Sequence, residues 1–209
     1  MLNRILAVLL VAGALWSCGA EDAQLPILGQ KTTDENGKVI EHTIPDFSFV
    51  NQYGDTITQN LFDNKIYVSD FFFTSCPTIC PVMKSQMIRV YDHFKNNEQV
   101  MILSHSIDPY HDSVAVLKDY ADALGIVGDK WQFVTGDQDA IYDIGQNAYM
   151  VTAAEDTVAV EETGGFIHSG AFILVDKKKR VRGLYDGTLE DQVSQLIRDI
   201  ELLLKEEDE

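Results

Sequence analysis

Apolar and polar positions change their rhythm along this chain, and each change marks an element. Ile66, Tyr67, Val68, Phe71, Phe72 and Phe73 make a nearly unbroken apolar run, the pattern of a central strand buried on both faces. Beyond it, Met83, Met87, Val90, Tyr91 and Phe94 recur at three- and four-residue intervals, which predicts an amphipathic helix. Val100 to Ser104 is short and apolar again, so these segments form a β-α-β unit with a parallel strand pair.

Weaker signals surround that unit. Phe47 to Val50 and Asp55 to Thr58 flank Gly54 as a hairpin, and Leu25 to Val39 holds a shorter one around Asp34-Glu35-Asn36-Gly37. Ser113 is placed to cap a helix whose face is Val114, Leu117, Ala121 and Leu124, with Gly125 at its end. Trp131 to Val134 reads as a strand and Asp137 to Tyr149 as a helix. Phe172 to Val175 and Arg180 to Tyr185 form an antiparallel hairpin about the Asp176 to Lys179 turn. Thr188 and Asp191 offer a capping box to a last helix striped by Val193, Leu196, Ile197, Ile200, Leu203 and Leu204, with Lys205 to Glu209 fraying beyond it.

The order β-α-β, α, β-β-α is the thioredoxin arrangement. The predicted fold is therefore α/β, a thioredoxin-like mixed sheet flanked by helices, with an N-terminal extension and an inserted loop or hairpin around 151–165. No internal repeat or second domain is visible, and 209 residues with 45% hydrophobic side chains suit one domain.

The net charge of −17 repels phosphate backbones and excludes nucleic acid as a partner. At the start, Arg4 precedes a 12-residue apolar run from Ile5 to Trp16. A bilayer-spanning helix needs about 20 such residues, so this reads as a targeting leader. Leu15-Trp16-Ser17-Cys18 resembles a bacterial lipobox, which implies a signal peptide at 1–17 and a lipid on Cys18. A tether and extension at 18–40, a domain at 41–205 and an acidic tail at 206–209 follow. The domain is expected outside the cytoplasm, membrane-anchored on the periplasmic side.

With Cys18 assigned to lipid, the remaining cysteines are Cys76 and Cys80, a pair too close in sequence to serve as a scaffold. They lie between the central strand and the helix, bracketed with Pro77 and Pro81, where the backbone need not be ideal helix. Such a pair suits either metal ligation or thiol–disulfide chemistry, and unpaired N–H groups at a helix start favour thiolate. Of the five histidines, His42, His93, His105, His111 and His168, the last precedes the Phe172 hairpin. In a thioredoxin-like fold that loop lies against the thiol helix, which makes His168 the leading third ligand. His105 and His111, near the end of the second strand, are the secondary candidates.

Phe73-Thr74-Ser75-Cys76-Pro77-Thr78-Ile79-Cys80-Pro81 resembles the signature of the Sco/SenC family of cytochrome oxidase assembly proteins, and the likeness continues through Ser106-Ile107-Asp108-Pro109, His168-Ser169 and Asp186-Gly187-Thr188. The resemblance implies one copper held by Cys76, Cys80 and His168. It also implies delivery of copper to the dinuclear copper centre of cytochrome c oxidase, or reduction of that centre's cysteines. Two positions depart from the family pattern: Ile167 stands where many members carry an acid, and Phe72-Phe73 where Gly-Phe is common. Two thiolates and an imidazole suit Cu(I) and can hold Cu(II), whereas zinc would want a fourth ligand. The expected partner is the oxidase's copper-bearing subunit or another copper protein. The alternative is a thiol–disulfide oxidoreductase that carries no metal. A thiol peroxidase would need Thr-x-x-Cys, but Thr74-Ser75-Cys76 has a single residue between.

Overall fold

Seven consecutive buried side chains, Ile66–Phe72, make the strand at the centre of the sheet. The computed structural model describes residues 24–151, 153–155 and 166–206, apart from the side chains of 153–155 and 166–168. In chain order the strands are β1 (Thr32–Thr33), β2 (Val39–Ile40), β3 (Ser48–Asn51), β4 (Thr56–Thr58), β5 (Ile66–Phe72), β6 (Val100–Ser106), β7 (Trp131–Thr135), β8 (Ala153–Glu155), β9 (Phe166–His168), β10 (Ala171–Val175) and β11 (Val181–Asp186). The helices are α1 (Cys80–Phe94), α2 (Val114–Ala123), α3 (Gln138–Asp143) and α4 (Glu190–Glu206).

Among the described residues the main sheet runs β11-β10-β5-β6-β7-β3-β4. β5, β6 and β7 are parallel, while the outer strands are antiparallel to their neighbours. This is the mixed, thioredoxin-like sheet flanked by helices that the rhythm of the sequence predicts. β1 and β2 form a separate hairpin in the N-terminal extension, its turn closed by the Asp34 carboxylate, which accepts from the Asn36 and Lys38 amides.

Strand alternation divides β5 between two faces. Asp70 and Phe72 meet Lys84 of α1 on one side, where Phe72 stacks on Tyr120 of α2 and Phe133 meets Tyr120 edge-on. Tyr67, Ser69 and Phe71 look the other way, into a nest with Phe62, His105 and Tyr149. Both thiol-side helices therefore cover the face opposite His105.

The ends of three helices depart from the sequence reading or refine it. Ser113 caps α2 by accepting from Val116, as expected. The stretch expected as one helix from Asp137 to Tyr149 is α3 followed by a π-helical turn, Ile144–Ala148. The capping box on α4 does not form, because the Thr188 amide and hydroxyl both donate to Asp186, two residues before it. Nor does the last helix fray at Lys205: Arg182, which is nearly fully buried, donates to Glu206 and to the backbone carbonyls of Leu25 and Pro26. One guanidinium offers enough donors to hold all of these. The inserted segment begins as β8 paired with β9, with 156–165 outside the described residues.

Candidate thiol and metal site

β5 delivers the chain to the sheet end, where Thr74 and the Cys76 turn follow. Cys76 N–H bonds Phe73 O at 3.3 Å, and Ile79, in helical conformation, leads into Cys80 as the first residue of α1. Pro81 follows at a position whose N–H would have no partner in the helix, so proline is cost-free there.

The turn is held from outside by Asp112. Its buried carboxylate accepts from Thr74 N at 3.0 Å, from Thr74 Oγ1 and from Ser106 Oγ at 2.6 Å, while Ile107 N–H bonds Phe72 O at 2.9 Å. The Ser106–Pro109 stretch and the loop behind it thus brace the thiol turn. Sequence reasoning missed Asp112; its signal was an acid a few residues beyond a strand end, just before the Ser113 helix cap.

Cys76 is 8% exposed and Cys80 2%. A hydrogen bond with Cys76 and burial both push the Cys80 thiol well above its ordinary pKa, against smaller lowering effects from the Phe73 backbone and Lys84. The expectation of a depressed pKa at the helix start therefore fails for Cys80. The donor pair and the loss of water outweigh the helix dipole. These effects favour the protonated form of the inner thiol, and the outer sulfur, Cys76 Sγ, lies 3.7 Å from Thr78 Oγ1. A cavity of about 330 Å³ opens on both, lined by Thr74, Cys76, Cys80, Pro81, Lys84 and Tyr120 among others.

Beneath the thiols lies a buried charge pair. Lys84 Nζ reaches Asp70 Oδ2 at 2.7 Å and sits 4.1 Å from the centre of the Phe72 ring. Ser104 donates to the other oxygen of Asp70 and accepts from Trp131 Nε1. This too was overlooked in the sequence, although a lysine between Met83 and Met87 and an aspartate inside an apolar strand are a matched anomaly.

The histidines separate cleanly. His105 is fully buried on the far face, stacked on Phe71 with ring centres 4.7 Å apart, and burial lowers its pKa to about 4. His42 bonds Ala148 O and His93 pairs with Glu201. Among the described residues no group of three His, Cys, Asp or Glu side chains converges, so neither His105 nor His111 completes a set with the cysteines. The side chain of His168, like all of Cys18, lies outside the described residues. The backbone of His168 closes β9 opposite Ala153, and the chain then passes the thiol turn. A β-carbon built on Gly170 would lie 3.7 Å from Ile79 Cδ1 and 3.6 Å from Thr188 Cγ2. Gly187 N–H bonds Gly170 O at 2.7 Å. The stretches that carry the resemblance, 73–81, 106–109, 168–169 and 186–188, therefore gather at one end of the sheet.

A model of the SCO1/SenC family matches residues 35–205. The SCO1/SenC family lipoprotein of Bacillus anthracis is 26% identical, with a TM-score of 0.70 over 78% of this chain and 95% of that one. BsSco is described by a disulfide switch and as a member of the Sco family of cytochrome c oxidase assembly proteins. It is 28% identical, with a TM-score of 0.65 over 77% of this chain and 92% of that one. Bradyrhizobium japonicum ScoI, solved with copper bound, shares the fold at a TM-score of 0.61 and 21% identity, over 75% of this chain and 98% of that one.

Proposed function

This chain belongs to the SCO1/SenC family, and on that premise we propose that it carries one copper ion on Cys76, Cys80 and His168 while anchored to a membrane through Cys18. Its cargo is destined for the dinuclear copper centre of cytochrome c oxidase. The observation that carries this reading is a pair of hydrogen-bonded sulfurs at the sheet end to which Gly170, two residues past His168, also comes, close enough to Ile79 that a β-carbon on it would touch that side chain at 3.7 Å. Two soft sulfurs and an imidazole fit copper, and copper would bring to the site a change of oxidation state between Cu(I) and Cu(II).

The chain's own residues do the rest. Asp112 holds Thr74 and with it the approach to Cys76. Lys84 offsets part of the charge that two ligating thiolates would bring into a dry site. Binding requires Cys80 to give up a proton that burial favours, so uptake releases protons and strengthens as pH rises.

The test is a titration of the reduced, detergent-solubilised protein with Cu(I) and with Cu(II). One equivalent should bind, Cu(II) should give sulfur-to-copper charge-transfer absorption, and Cys76→Ser or Cys80→Ser should abolish it. His168→Ala should weaken binding sharply. Full copper affinity in that last variant would remove His168 from the ligand set.

The same inner thiol supports a second reading, reduction of a partner's disulfide. Cys76 as thiolate would attack one partner sulfur, releasing the other as a thiolate that takes a proton. Cys80, once deprotonated, would displace the bound sulfur and close a Cys76–Cys80 disulfide. Two electrons and two protons pass to the partner. This exchange needs no imidazole, so dithiol activity surviving in His168→Ala separates it from copper carriage.

A further inference from the structure

The sheet has a direction, and it separates two kinds of surface. β5 runs from Ile66 towards the thiols, and antiparallel β10 returns from Ala171 to Val175. The Asp176–Arg180 turn therefore sits at the end of the sheet away from Cys76. The N-terminal extension lies along that far end, with Leu28 N–H on Val181 O and Ile44 N–H on Lys179 O. The described chain starts there too, since Arg182 grips the Leu25 and Pro26 carbonyls.

Within one groove at this end the lining reverses the sign of the whole molecule, although the exposed acids Asp46 and Asp63 stand by Lys179 of the same turn. A groove of about 660 Å³ between the β1–β2 hairpin and the turn is lined by Lys31, Lys38, Lys178 and Arg180 against the single carboxylate of Glu41. Arg180 is committed to Asp176 and Glu41, and Lys31 reaches Glu41 only at 3.8 Å. Lys38 and Lys178 are exposed at its rim. Beside them Val39 and Ile40 are 56% and 48% exposed, although β1 and β2 belong to no larger sheet that could use them.

We propose that this basic and aliphatic groove docks on the phosphate headgroups of an anionic phospholipid bilayer. A chain of charge −17 is repelled by such a surface, so whichever end lies against it needs a local excess of cations. Lysines that reach headgroup phosphates, next to aliphatic side chains that enter the interface, are the composition a bilayer boundary selects. Cys18 is seven residues before Leu25. Cys18 itself could lie no more than about 25 Å from Leu25 at full extension. The inference rests on the anchored reading above, and it orients the thiols away from the bilayer.

The test uses the full lipid-bearing chain in nanodiscs of phosphatidylcholine alone or mixed with phosphatidylglycerol, followed by hydrogen exchange. Amides of 31–41 and 176–180 should exchange more slowly in the anionic discs only. Lys38→Glu with Lys178→Glu should erase the difference, each cation being worth about fivefold in the ratio of docked to undocked states. Salt should erase it as well. Equal exchange in both disc types overturns the inference, as does protection elicited by an acidic polypeptide and not by anionic discs. A chain that fails to enter either disc overturns the anchored reading, and this inference with it.

Discussion

Lys84 Nζ stands 2.7 Å from Asp70 Oδ2 beneath the thiol pair, with the two side chains 3% and 0% exposed. Among the described residues the other side-chain partner of Asp70 is the neutral Ser104 hydroxyl. Lys84→Met therefore strands a buried carboxylate and should lower stability by about 3–5 kcal/mol in denaturant unfolding. Adding Asp70→Asn should recover much of that loss. A single variant as stable as the parent would show the pair to be dispensable.

The brace on the thiol turn gives a second expectation. Asp112→Asn turns one acceptor oxygen into a donor, facing either the Thr74 amide and Ser106 hydroxyl that share Oδ2 or the Thr74 hydroxyl on Oδ1. The cost should be about 1.5–3 kcal/mol, the range for hydrogen bonds to a charged group. Copper affinity should fall as well, because the turn carrying Cys76 loses its hold. Unfolding and copper titration on the same variant separate the two effects.

His105 predicts a pH dependence. Its folded pKa of about 4 lies below the ordinary histidine value, so the unfolded chain takes up a proton first as pH falls. The stability this neutral imidazole contributes is fully present above pH about 6.5 and is lost as pH falls to about 4, by roughly 3 kcal/mol. His105→Phe keeps the aromatic stacking on Phe71 and should remove that share of the acid sensitivity. Identical pH slopes in the parent and the variant between about 4 and 6.5 would contradict it.

Gly170 tests the seam between the His168 strand and the thiol turn. A methyl there meets its neighbours at 3.6–3.7 Å, ordinary contact distances. Gly170→Ala should be neutral to within about 0.5 kcal/mol. Gly170→Leu has to displace Ile79, Asp186 or Thr188, and should weaken copper binding by about tenfold, or 1.4 kcal/mol, with the fold retained. By contrast, a β-carbon on Gly187 would lie 2.6 Å from the buried Phe172 ring. Gly187→Ala should cost about 1–3 kcal/mol by overpacking.

Much of this architecture was legible because its elements bury one face at a regular period. β5, α1 and β6 follow the apolar rhythm of Ile66 to Ser104, and the Ser113 cap and the Gly125 stop fall where local chemistry puts them. Reasoning from local pattern failed where a distant partner decided. Thr188 looks like a cap until Asp186 claims its hydroxyl. The π-turn after α3 leaves no periodic trace that short windows detect. At the site, the cysteine pair was readable from spacing and prolines, but the Cys80 proton is governed by burial and by the facing sulfur. The charge pair of Asp70 and Lys84 belongs to two elements 14 residues apart, and only folding makes it a pair.

Arg182 binds the Pro26 carbonyl through Nε, and through Nη2 it binds both the Leu25 carbonyl and Glu206. The first and last stretches of the domain are thereby brought to the same address. A reporter fused behind the last helix would emerge beside the incoming tether and leave the opposite pole clear for visitors. Shortening the chain from either direction would be felt by the other, since each removal frees the same guanidinium.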